Sequence, residues 1–234
     1  LARREKGGFW VGLAAFVFYP LTRIGKRSYL GAEKIPREGP AVLVLNHISH
    51  LDPVVDAVFV HRQKRVPRFF LKDSLLKVPV LGKIATASGQ IPVSRNSSAA
   101  GDSLRAAHEA LREGKIVVIY PEGTITKDPA GWPKESFTGV ARLALQNDAP
   151  VIPIARWGTS QIYNGYTKKF TPFPRKTVTH LIGDPLDLSA YENANPRSAA
   201  TLREVTKLMM DEVTRLLGEI RHEEPPVKKP EDGA

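Results

Sequence analysis

The stretch Ala41-Val42-Leu43-Val44-Leu45-Asn46-His47-Ile48-Ser49-His50-Leu51-Asp52-Pro53-Val54-Val55-Asp56 decides the fold class. Five consecutive apolar residues read as a buried strand. Polar residues follow at once, and Asp-Pro then opens a helix over Pro53–His61, with Asp52 as N-cap and Pro53 at the first helical position, where a missing N–H does no harm. A strand buried on both faces, leading through a short turn into a helix, belongs in a parallel sheet covered by helices.

Working outward, the same alternation recurs. Arg68–Leu71, Gln90–Val93, Ile116–Tyr120, Val151–Ala155 and Thr177–Ile182 read as strands. Ser74–Ala87 reads as a helix interrupted at Pro79 and Gly82, Asp102–Arg112 as a helix closed by Gly114, and Phe137–Gln146 as another. The last is Leu202–Ile220, capped by Asn195 with Pro196 next, its apolar stripe formed by Leu202, Val205, Leu208, Met209, Val213, Leu216 and Ile220. The pattern predicts one α/β domain over residues 28–221, with a mainly parallel, mixed central sheet flanked by helices. Residues 222–234, rich in proline and charge, are expected to be disordered.

Upstream, Gly7–Leu21 carries no charge and is flanked by Arg3, Arg4 and Lys6 on one side and Arg23, Lys26 and Arg27 on the other. As a helix it would span about 22 Å, short of a hydrocarbon core of about 30 Å. No small-x-small cleavage site follows it. Residues 1–27 therefore read as a half-inserted anchor, with Trp10 and Tyr19 at the interface and the basic flanks on anionic headgroups. The rival is a helix buried on the main domain.

Lys and Arg number 34 against 24 Asp and Glu, a net charge of +10, which favours anionic partners without choosing among them. The chain has no cysteine, which excludes disulfides, thiolate metal sites and a cysteine nucleophile. No aromatic-and-basic pattern of a nucleic-acid module is present. There is neither a Gly-x-Ser-x-Gly elbow nor a phosphate-binding P-loop, and His47 with His50 finds no third metal ligand at sensible spacing.

In parallel sheets, ligands sit at the C-terminal ends of strands. Three polar clusters follow strands here: Asn46 to Pro53, Ser94-Arg95-Asn96, and Pro121-Glu122-Gly123-Thr124. On one continuous helix, His47 and Asp52 would stand about 140° apart. A turn ahead of the helix can instead fold His47 back over Asp52. The carboxylate would then take the Nδ1 proton and leave Nε2 free to accept one from a hydroxyl near neutral pH. The plainer alternative leaves Asp52 as a helix cap and His47 as a turn residue. Arg95 is suited to bidentate binding of a phosphate, or is a solvated surface arginine. Glu122-Gly123-Thr124 is either a turn presenting N–H groups to an anion or a simple strand exit.

Taken together and in order, these clusters resemble the conserved blocks of the glycerolipid acyltransferase family. Asn46-His47-x-Ser49-x-x-Asp52-Pro53 is similar to its H-x4-D block, Gly89 to Arg95 to its second, Tyr120-Pro121-Glu122-Gly123-Thr124 to its third, and Val151 to Ala155 to its fourth, over roughly residues 28–190. The resemblance implies acyl transfer from a thioester of coenzyme A or acyl carrier protein to the hydroxyl of 1-acylglycerol-3-phosphate. Other lysolipid or glycolipid acceptors are the alternative, and a membrane-binding protein without turnover a more distant one. It implies His47 as general base, Asp52 as its partner, and Arg95, Glu122, Gly123 and Thr124 as the glycerophosphate site, with Lys72 at a place that is often basic. No metal or prosthetic group is implied. The expected setting is the cytoplasmic face of an anionic membrane, bound peripherally or monotopically. The sequence departs from the family where a basic residue usually follows the third block: Ile125 stands there, and Thr138 stands at a later basic position, with Lys127 and Lys134 nearby.

Overall fold

The chain runs through α1 (Gly8–Leu21), β1 (Lys26–Leu30), β2 (Ala41–Leu45), α2 (Asp52–Arg62), β3 (Pro67–Lys72), α3 (Asp73–Leu76), α4 (Leu81–Ala87), β4 (Ile91–Val93), α5 (Ala99–Arg112), β5 (Ile116–Ile119), α6 (Gly139–Leu145), β6 (Val151–Trp157), α7 (Thr159–Ile162), β7 (Thr177–Ile182) and α8 (Ala199–Arg221). The structure is a computed structural model that describes Glu5, residues 7–93 and residues 99–226.

Among the described residues seven strands form one sheet in the order β1-β7-β6-β2-β5-β3-β4. Strands β2 to β6 are mutually parallel, whereas β7 pairs antiparallel with β6 and carries β1 parallel to itself. The sheet is therefore the mainly parallel, mixed one expected. The C-terminal ends of β2 to β6 all lie on one edge, and β2 stands at its centre.

Strand β2 is buried along its whole length, and its alternating side chains divide the core. Val42 and Val44 join Val117, Ile119 and Val151 under α5, α6 and α8. Ala41, Leu43 and Leu45 join Ile116, Val118, Ile152 and Ile154 under Phe59 and Val60 of α2. Each such Val, Leu or Ile contributes about 1.5–3 kcal/mol by leaving water. Pro92 lies in β4, an edge strand where a missing donor is tolerated.

Several elements differ from the sequence reading. Strand β1 (KRSYL) was not expected, because it has neither an apolar run nor clean alternation; it lies at the sheet edge and pairs only with β7. The cap of α8 is Ser198, whose Oγ accepts from the Thr201 N–H at 3.4 Å. Asn195 instead closes a turn just ahead, accepting from the Arg197 N–H at 2.9 Å. Within α8, Leu208 is 37% exposed, while Met210 and Leu217 are buried. The helix packs on β6, β7 and α6 together and so buries a wider arc than one stripe. The first residues of the expected tail fold back on the domain. Pro225 lies against Gly218, and the Arg221 guanidinium stacks 4.1 Å from the Trp132 ring centre and 4.2 Å from that of Trp157. Residues 227–234 lie outside the described residues.

Helix α1 is joined to the domain on one side and bare on the other. It lies against α2 and α4, with Val11 and Ala14 buried, while Phe9, Phe16, Val17 and Leu21 are exposed. Tyr19, expected at a lipid interface, is half-buried and its hydroxyl meets His61 Nδ1 at 3.0 Å. Ahead of the helix, Glu5 forms ion pairs with Arg65 and Arg68. Among the described residues no helix is long and apolar enough to cross a membrane.

Candidate active site

The turn after β2 wraps around one carboxylate. Asp52 Oδ2 accepts from the Ile48 and Ser49 N–H groups, both at 2.7 Å, and lies 2.8 Å from His47 Nδ1. Successive amides converging on a carboxylate make an anion nest, and it fixes the turn. The expectation that Asp52 caps α2 is corrected here. Leu51 holds the cap position, no side chain caps the helix, and Asp52 lies in the first helical turn with its carboxylate reaching backward. Its oxygens face the preceding turn, Arg156 and Thr159 instead of the helix amides. With Nδ1 turned to Asp52, Nε2 of His47 is left for chemistry, on a side chain 14% exposed at the sheet edge.

Behind Asp52 lies a buried charge network. Arg156, at the end of β6, sends Nη2 to Asp52 Oδ2 and Nη1 to Asp56 Oδ2, each at 2.5 Å, and Nη2 also donates to the Asn46 carbonyl at 2.6 Å. Asn46 in turn brackets the Arg156 backbone, donating to its carbonyl at 2.9 Å and accepting from its N–H at 2.8 Å. Asp56 also lies 2.8 Å from His180 Nε2 and accepts from the Tyr120 hydroxyl at 2.6 Å. Thr159 donates to Asp52 Oδ1 at 2.6 Å. Asn46, Asp52, Asp56, Arg156, Thr159 and His180 have no exposed surface. Burial works to raise the Asp56 pKa, but Arg156 and His180 outweigh it and hold the carboxyl below its ordinary value. Burial likewise works against the Arg156 charge, and the two aspartates more than reverse this. The Tyr120 phenol is pushed well up by burial and by Asp56. Arg156 is shared by Asp52 and Asp56, Asp56 is contacted by His180 as well, and the Asp52 carboxylate lies between Arg156 and the His47 imidazole.

The loop after β5 holds His47 from the other side. Glu122 Oε1 accepts from the His47 N–H at 3.1 Å, and the His47 carbonyl accepts from the Thr126 N–H at 2.7 Å. The Tyr120 ring stacks on the imidazole, with centres 4.5 Å apart and planes 17° apart. Glu122 is buried, with its second oxygen near the Lys134 N–H at 3.4 Å. Burial raises its pKa, opposed by these two backbone donors. Its carboxylate thus faces His47. Gly123, at φ +65°, and Thr124 form the exposed tip, and the Gly123 N–H is taken by the Tyr120 carbonyl at 2.9 Å.

Lys72 is exposed at the end of β3, on the same edge of the sheet. Lys127 and Lys134 are exposed as well. Arg95 lies outside the described residues. Sequence reasoning passed over Arg156, Asp56, His180 and Thr159. One signal was present: Asp56 follows Asp52 by four residues, which stacks the two carboxylates on one helix face and calls for a shared cation. Nothing local pointed to Arg156 or His180, which come from distant strands. Among the described residues no group of three or more His, Asp or Glu side chains is placed to hold a metal ion.

The sequence model of the family described as Acyltransferase matches residues 26–157, more than half of the chain and the whole of the arrangement from β1 to Arg156. The chain belongs to the Acyltransferase family. Among its relatives in that family, a protein of Borreliella burgdorferi named 1-acyl-sn-glycerol-3-phosphate acyltransferase is 26% identical over 193 residues, which cover 82% of this chain and 71% of that one. A chloroplastic protein of Brassica napus with the same enzyme name is 30% identical over 157 residues, covering 65% of this chain and 42% of its own length. The crystal structure of the 1-acyl-sn-glycerophosphate (LPA) acyltransferase PlsC from Thermotoga maritima superposes with a TM-score of 0.68 at 23% identity, covering 93% of this chain and 80% of that one, and so shares the acyltransferase fold.

Proposed function

We propose that the chain transfers a fatty acyl group from a thioester to the free hydroxyl of 1-acylglycerol-3-phosphate, giving phosphatidic acid. The observation that carries this reading is the His47–Asp52 contact of 2.8 Å at the end of the central strand. His47 Nε2 takes the proton of the acceptor hydroxyl as its oxygen attacks the thioester carbonyl. The tetrahedral adduct then expels the thiolate, which recovers the proton from His47. The acceptor oxygen itself attacks, so no acyl-enzyme intervenes. Asp52 orients His47 and stabilises the imidazolium. Arg95, Lys72 and Thr124 hold the glycerophosphate, Gly123 shapes the turn that carries Thr124, its own N–H being taken by the Tyr120 carbonyl, and Glu122 fixes the His47 backbone. The donor is acyl-CoA or acyl carrier protein; no cofactor takes part. The chain works at the cytoplasmic face of an anionic membrane, with α1 as its anchor.

A second reading keeps the chemistry and changes the acceptor to another lysolipid or a glycolipid. It is favoured by Ile125 and Thr138, which stand where the family commonly has basic residues. Thiol release from acyl-CoA, followed with a panel of lyso-acceptors and mass spectrometry of the products, decides between them. Release that depends on lysophosphatidate supports the first reading, and release with another acceptor the second. Acceptor-independent release indicates a thioesterase and overturns both.

A further inference from the structure

The chain between α7 and β7 reads Tyr163-Asn164-Gly165-Tyr166-Thr167-Lys168-Lys169-Phe170-Thr171-Pro172-Phe173-Pro174-Arg175-Lys176. The chemistry above uses none of these side chains. The segment carries four basic residues and no acidic one, and Tyr166, Phe170 and Phe173 are exposed, Phe173 by 75%. Exposed aromatics gathered this closely mark a surface that meets something.

The segment is built rather than slack. Tyr163 bridges Phe170, the Asn164 N–H donates to the Lys169 carbonyl at 3.0 Å, and Asn164 Oδ1 accepts from the Tyr166 and Thr167 N–H groups at 2.9 and 3.0 Å. One end is fastened to the His47 turn. Ser49 Oγ donates to the Tyr163 carbonyl at 2.7 Å, and Gly165 lies against Ile125. The other end is fastened beyond α1. Arg175 Nη2 donates to the Arg23 carbonyl at 2.7 Å and to that of Gly25 at 3.2 Å. Phe173 and Arg175 border an open depression together with Pro20, Arg23 and Ile24. The loop therefore links the reactive turn to the end of the helix that exposes Phe16, Val17 and Leu21.

We infer that the 163–176 loop is a second membrane-docking element, seating Phe170 and Phe173 in the interfacial region of an anionic bilayer, with Lys168, Lys169 and Arg175 on lipid phosphates. Aromatic rings suit the headgroup depth, and basic residues of one sign suit an anionic leaflet. Continuity with the bare side of α1 gives two contacts where a single helix would leave the domain free to swivel about it. The inference rests on the proposed function in taking the acceptor from a membrane and α1 as the first contact with it.

The test uses the full chain and vesicles of phosphatidylcholine with or without phosphatidylglycerol. Because the chain lacks cysteine, Phe173→Cys accepts one environment-sensitive fluorophore, and Leu208→Cys, on the exposed side of α8, serves as control. The expected result is a blue shift of the label at 173 on anionic vesicles and none at 208. Phe170→Ser with Phe173→Ser should weaken vesicle binding by about tenfold or more. Lys168→Glu with Lys169→Glu should weaken it on anionic vesicles by at least about fivefold per site. A silent label at 173 on vesicles that carry the protein overturns the inference, as does a shift produced by acyl carrier protein and not by vesicles. Transfer to detergent-dispersed lysophosphatidate, measured in parallel, reports on the proposed function alone.

Discussion

Arg156 and His47 meet on one oxygen: Asp52 Oδ2 receives the guanidinium at 2.5 Å and the imidazole Nδ1 at 2.8 Å. The carboxylate that contacts the His47 imidazole is therefore also half of a buried ion pair, and the two duties are not separable by mutation. His47→Ala should lower turnover by about 10²–10⁴ while leaving the fold intact, because the imidazole is not part of the buried pair. Asp52→Asn should lower turnover comparably and also cost roughly 3 kcal/mol of stability, since it leaves Arg156 buried with one counter-charge fewer. Activity assays paired with urea unfolding check this. An Asp52→Asn protein as stable as wild type would show that Asp56 alone satisfies Arg156.

Tyr120 separates packing from hydrogen bonding. Its ring stacks on His47, and its hydroxyl reaches Asp56 at 2.6 Å. Tyr120→Phe keeps the ring and loses the donor. The expected cost is about 1–3 kcal/mol in unfolding free energy, with turnover at saturation within a few-fold of wild type. A large drop in turnover with little change in stability would place the hydroxyl in the chemistry.

Glu122 binds a proton more tightly in the folded chain than in the unfolded one, because its pKa is raised above 4.5 by burial. Its contribution to stability is full below that value and is lost as pH rises through the higher folded pKa. Glu122→Gln keeps an acceptor for the His47 N–H and cannot ionise. Measured against this variant, the wild type should gain stability as pH falls from neutrality to about 4.5. Asp56, whose pKa is lowered, acts in the opposite sense below its ordinary value of 3.8, outside this window. Parallel unfolding curves for the two proteins across the window would show that Glu122 has no raised pKa.

Arg95→Ala should raise the acceptor KM, or lower kcat if the phosphate contact forms only in the reacting complex, with little effect on saturation by acyl-CoA. Lys72→Ala provides the comparison. A change confined to Lys72→Ala would move the phosphate site to the end of β3.

The parts of the fold legible in the sequence were those whose cause is local. AVLVL announces a strand buried on both faces whatever lies beside it, and the polar residues after it fall at the strand's end by topology alone. A turn of four residues between His47 and Asp52 permits their pairing but equally permits a helix cap beside a turn residue, and only the resemblance of the ordered blocks to the acyltransferase family chose the pair. The cap of α8 was misplaced by three residues because Asn195-Pro196 and Ser198 are both good starts, and only the packing of the helix chooses. Strand β1 was invisible because its reason for being a strand is β7, far along the chain. Arg156 was missed for the same reason: an arginine at the end of an apolar strand looks like an exit to solvent until two aspartates from another element are placed against it.

Asn46, Asp52 and Asp56 find their partners Arg156 and His180 a hundred positions or more later in the chain. A polypeptide lengthening from its N-terminus completes the whole His47 turn well before that guanidinium exists. Until then Asp52 and Asp56 are two like charges one helical turn apart, hydrated and mutually repelling, and the imidazole has no fixed bearing. The buried network behind His47 is thus completed late in synthesis, once β6 lies beside β2 and brings Arg156 against the two aspartates.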